Sequence, residues 1–134
     1  MGYIMLFTTV LKENKAFQRC YKKGRFTADS ILAAYYYPNG TPYNRLGITV
    51  SKKNGCAVER NRIKRIIRAA YRINEKKFPI GYDIVFVGRN NISEKKMQDV
   101  DKFINKRLLK DINKPFEKKK RPANKNTKNK KWNI

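Results

Sequence analysis

The 134-residue chain contains no histidine. With imidazole absent, the usual general base near neutral pH is missing. Its ten carboxylates are spread along the chain rather than grouped, so neither an acid-base pair nor a metal-binding cluster can be read from them. Ser51 and Cys56 could serve as nucleophiles, but no base stands near either. No catalytic residue and no metal ligand set is therefore expected in this protein. Cysteine is scarce too: Cys20 and Cys56 lack metal-ligand spacing and a secretory signal, which fits reduced thiols in a cytoplasmic protein. Long apolar runs are missing as well. The opening "MGYIMLFTTVL" has no basic n-region or cleavage site and is far shorter than a membrane span, so residues 1–10 read as a flexible lead-in that packs locally, and no membrane partner is expected.

What the chain has in excess is positive charge. Lys and Arg number 33 against 10 acids, a net +23 with a pI near 10.3, which calls for a polyanionic partner, nucleic acid ahead of an anionic membrane. No small-molecule substrate is indicated. A hydrophobic content of 40% suffices for one core but not comfortably for two. From Asn113 onward the apolar pattern stops. Residues 113–134 carry a net +8 in a Lys/Asn-rich, low-complexity run that reads as a disordered tail, which leaves 11–112 as the domain.

Within that domain, "LKENKAFQRCYKK" places Phe17 and Tyr21 four apart before Gly24, the pattern of a short helix with a glycine cap. "RFTADSILAAYYYP" is β-branched and aromatic and reads as one or two strands. After the turn "PNGTPYN", the stretch "RLGITVS" alternates Leu46, Ile48 and Val50 against Gly47, Thr49 and Ser51, as a strand with one buried face does. "VERNRIKRIIRAAYR" then turns helical. At about 100° per residue, Ile63, Ile66, Ile67, Ala70 and Ile73 fall in one arc, and Arg60, Lys64, Arg65, Arg68 and Arg72 in another. "GYDIVFVGR" is a strand apolar on both faces, and Ser93 can cap a last helix lined by Met97, Val100, Ile104 and Leu108. The order is α, two or three strands, α, β, α, taken as α-β-β-β-α-β-α in a single-domain α+β fold.

Two groups of residues carry the candidate chemistry. Between residues 60 and 74 no acid balances the cations, whereas a plain surface helix would mix Glu with Lys, so this face reads as a phosphate-binding surface. Lys52 and Lys53 lie just upstream. The second group is aromatic: Phe17 and Tyr21 on the first helix, with Tyr35 and Tyr37 on one face of a strand. These rings are either core or platforms for unpaired bases. Asn61, between two arginines, could bond a base edge or cap a turn.

"SKKNGCAVERNRIKRIIRAAYR" closely resembles the signature of the bacterial ribonuclease P protein subunit, whose Arg-Asn-Arg motif matches Arg60, Asn61 and Arg62. "LKENKAFQRCYKKG", "ILAAYYY", "LGITVS" and "GYDIVFVGR" follow in family order, so the resemblance covers roughly residues 11–112. It implies a ribosomal-protein-like sandwich with a left-handed βαβ crossover. It also implies a partner role to a catalytic RNA that removes the 5′ leader from precursor tRNA, with Mg²⁺ held by RNA and substrate. Carried over by position, Arg60, Asn61, Arg62, Lys64, Arg65 and Arg68 become contacts to the catalytic RNA. Phe17, Tyr21, Tyr35, Lys52 and Lys53 become leader contacts. Cys56 departs from the family's usual polar residue before the Ala-Val pair. A ribosomal or ribosome-assembly protein would share the charge and fold type and differ in the RNA it binds.

Overall fold

The β-branched and alternating stretches become five strands of one mixed sheet in the computed structural model, which describes residues 5–89 and 97–113. In chain order they are β1 (Thr8–Val10), β2 (Arg25–Ala28), β3 (Leu32–Pro38), β4 (Asn44–Val50) and β5 (Tyr82–Gly88); in space they run β1-β4-β5-β3-β2. Helix α1 (Asn14–Lys23) precedes β2, and α2 (Ala57–Asn74) joins β4 to β5. Helix α3 (Met97–Phe103) continues through a π-helical stretch, Ile104–Leu108, into a final turn, Leu109–Ile112. β4 runs parallel to both β1 and β5, so β4-α2-β5 is a crossover unit, while β3 is antiparallel to β2 and β5.

Strand alternation divides the side chains between two faces. Leu32, Ala34 and Tyr36 of β3, Leu46 of β4, and Ile84 and Phe86 of β5 meet Ile63, Ile67, Ala70 and Tyr71 of α2 and Val100, Phe103, Ile104 and Leu108 of the last helix in the main core. On the other face Val85 packs with Leu11, Ala16 and Cys20, and the half-buried Phe17, Tyr21, Tyr35 and Tyr37 close around them. Ten-residue α1 is too short to cover a five-stranded sheet. Its aromatic neighbours therefore stay partly in solvent.

Several expectations are corrected. A strand precedes the first helix: residues 8–10, read as part of a flexible lead-in that packs locally, pair with Asn44–Leu46 of β4. The cause is distant in sequence. The buried carboxylate of Glu75 accepts hydrogen bonds from the backbone N–H groups of Leu6 (2.8 Å) and Phe7 (2.9 Å) and from the Thr8 hydroxyl (2.6 Å), fixing the segment against the end of α2. The first helix starts at Asn14 rather than at residue 11, and Leu11 is buried ahead of it. Gly24 ends that helix at φ −76°, not in the left-handed region; glycine is required because a Cβ would lie 2.5 Å from the Cys20 carbonyl oxygen and 2.7 Å from that of Tyr36.

The buried side of α2 is also turned from the expected arc. Tyr71 is fully buried and Ile73 is 62% exposed. Tyr71 packs against Phe78 and Phe86 and shares its hydroxyl with Thr8 and Asn44, which draws the helix toward the β1 side. Met97, Val100, Ile104 and Leu108 do line the inner side of the last helix; Ser93, its expected cap, lies outside the described residues.

Candidate nucleic-acid interface

Four aromatic rings, three half-buried and one exposed, form a continuous strip across the α1 face. Phe17 and Tyr21, one helical turn apart, have centroids 6.5 Å apart. Tyr21 meets Tyr35 edge to face at 5.0 Å, and Tyr35 stacks on Phe26 at 5.4 Å with 22° between the planes. Gly47 makes room for the first ring: a Cβ there would lie 2.6 Å from Phe17 Cζ. Asp83 braces the same face from below, accepting from Arg45 Nε at 2.7 Å and Nη2 at 3.0 Å and from Asn39 Nδ2 at 3.0 Å, with Arg19 of α1 4.0 Å away. Burial raises the Tyr21 hydroxyl above its ordinary pKa against the opposing bond to Thr49. It therefore remains a neutral donor at physiological pH. Phe26 was not singled out from the sequence. The signal lay in hairpin register, which sets Phe26 directly opposite Tyr35.

The cations of α2 form a second surface. Asn61, Arg65 and Arg68 are exposed, while Arg60, Arg62 and Lys64 are half-exposed. Arg60 Nη1 donates to the Gly55 carbonyl at 3.4 Å, and Arg62 lies 3.7 Å from Glu59 in an exposed pair. Such an exposed pair is worth little. Lys52 and Lys53 are exposed in a short 3₁₀ turn, Lys52–Asn54, between β4 and α2. Gly55 follows at φ +120°, where a Cβ would also sit 2.9 Å from Glu59 Cβ. Cys56 occupies the N-cap without a side-chain cap hydrogen bond, and the backbone N–H groups of Glu59 and Val58 lower its thiol pKa. Asn61, beyond the first turn, is not the cap, which removes one of its two readings.

The strip and the basic helix are neighbours. A cavity of about 430 Å³ is lined by Phe17 from α1, Thr8, Thr9 and Val10 from β1, Gly47 and Ile48 from β4, and Lys64 and Arg68 from α2. One aromatic wall and two cations thus face a common space. The structure brings Phe17, Tyr21 and Tyr35 together, and Phe17 with Lys64 and Arg68; Lys52 and Lys53 lie on the separate turn before α2. Among the described residues, no group of three or more metal-ligating side chains comes together.

The family model described as Ribonuclease P matches residues 7–113. The ribonuclease P protein component of Clostridioides difficile is 43% identical over 104 residues, covering 77% of this chain and 90% of that one. That of Alkaliphilus metalliredigens is 43% identical over 91 residues, covering 68% and 82%. Among solved structures, the Thermotoga maritima RNase P protein aligns with a TM-score of 0.68 at 34% identity, covering 77% of this chain and 96% of its own.

Proposed function

The chain belongs to the ribonuclease P protein family, and from that premise we propose how its two surfaces divide their work. It is the protein subunit of an endoribonuclease complex in tRNA processing whose catalytic centre is in the RNA. A ribosomal role is set aside by the family match. The missing histidine follows from that division: the protein has to bind and orient, not to transfer protons.

In this reading the α2 cations, Arg60, Arg62, Lys64, Arg65 and Arg68, with Asn61 among them, bind phosphates and a base or sugar edge of the ribonuclease P RNA. Phe17, Tyr21 and Tyr35 stack on unpaired bases of the precursor-tRNA leader, while Lys52 and Lys53 attract its phosphates. Mg²⁺ is held by RNA and substrate, and the site of action is the cytoplasm. The observation that supports this best is the shared cavity, in which Phe17 of the aromatic strip faces Lys64 and Arg68 of the basic helix. A leader lying on the strip would emerge beside the catalytic RNA. Neutralising phosphates on both RNAs lowers their mutual repulsion, so the protein should reduce the Mg²⁺ that cleavage needs. Adding it to a bacterial ribonuclease P RNA and titrating Mg²⁺ against precursor cleavage tests this. An unchanged Mg²⁺ requirement would count against the reading.

A further inference from the structure

We propose that Phe26 is an additional stacking position for the leader, taking one unpaired base farther toward the 5′ end than those on Phe17, Tyr21 and Tyr35; this rests on the leader reading above. Phe26 lies on β2, the edge strand of the sheet, directly opposite Tyr35 and on the same face. One side of its ring is stacked on Tyr35, yet the residue is 58% exposed. A single exposed apolar side chain is ordinary. Here, however, the ring continues an ordered series of three others, at the edge of the sheet formed by the described residues.

The strip has a direction. Phe17 is the member that shares the cavity with Lys64 and Arg68, and Phe26 is at the opposite end of the series. A leader entering from the catalytic RNA meets Phe17 first and Phe26 last. Exposed Lys22 and Lys23, in the last turn of α1 just before β2, supply cations for phosphates of that final nucleotide. An aromatic platform beside cations suits any base and gives length dependence without sequence dependence.

The test is precursor-tRNA affinity of the reconstituted holoenzyme across a nested series of leader lengths, with wild type, Phe26→Ala, Phe26→Leu, Phe26→Trp and Tyr35→Ala. For wild type, affinity should rise with leader length to a plateau. In Phe26→Ala that plateau should come about one nucleotide sooner and be weaker by about tenfold, with the shortest leaders unaffected. Trp should restore it and Leu should not. If Leu restores it, Phe26 only packs against Tyr35. If Phe26→Ala weakens even the shortest leaders, it acts through the fold. If Phe26→Ala matches wild type while Tyr35→Ala loses affinity, the added position is wrong and the leader reading stands. If neither variant changes anything, the leader reading itself fails.

Discussion

At the residue scale, two cysteines in one chain have opposite chemistry because their surroundings differ. Burial and the nearby Asp83 carboxylate push the Cys20 thiol up to about 12, so it stays protonated and unreactive. Cys56 is exposed at the start of α2 and its pKa is lowered, so a thiol reagent at neutral pH should modify one cysteine in the native protein and both after denaturation. Two rapidly reacting native thiols would contradict the packing of α1. Gly47 is a sharper probe of the aromatic strip. In Gly47→Ala the new methyl would collide with Phe17, and because that ring is a half-buried side chain it can swing away at a cost of about 1 to 3 kcal/mol. Precursor affinity should fall while binding to the catalytic RNA alone is kept. Equal losses in both would place Phe17 outside the leader path.

At the element scale, α2 separates two kinds of damage. Ile67→Ala empties a fully buried site and should cost about 2 to 5 kcal/mol of stability in a thermal or denaturant melt. Arg65→Ala, on the exposed side, should leave the melt nearly unchanged and weaken catalytic-RNA binding by about 1 to 3 kcal/mol. The reverse pattern would mean that the two faces are misassigned. Periodicity made the helix and its cationic side legible, but it placed Ile73 inside because an isoleucine at helical spacing looks like core. Tyr71 overrides that spacing through contacts to Phe78, Phe86, Thr8 and Asn44 made elsewhere in the chain. β1 was hidden for the same reason. Three residues, Thr8–Val10, carry no periodicity of their own, and their partners are β4 and Glu75. Glu75→Ala would leave the Leu6 and Phe7 N–H groups and the Thr8 hydroxyl without their acceptor. It should cost about 2 to 4 kcal/mol, with hydrogen exchange rising first in residues 6–10. Unchanged exchange there would remove Glu75 as the clamp.

At the scale of the whole molecule, charge and shape act on different partners. The net +23 favours any RNA, while the aromatic strip would favour RNA with an unpaired 5′ extension. The strip could be read in part from the sequence, since Phe17 and Tyr21 stand one helical turn apart and Tyr35 lies in an aromatic strand; Phe26 could not, because its place depends on how β2 registers with β3. Salt separates the two contributions. Log affinity for precursor should fall with log salt by about 0.7 for each single-strand phosphate neutralised, and Lys52→Ala should reduce that slope where Tyr35→Ala lowers affinity without changing it. The central claim, that this protein holds the leader as well as the catalytic RNA, is tested most directly by the affinity of the reconstituted holoenzyme for precursor tRNA relative to mature tRNA, with and without the protein. The protein should tighten precursor binding more than mature binding, and that preference should shrink in Phe17→Ala and Tyr35→Ala; equal tightening of both tRNAs would contradict it.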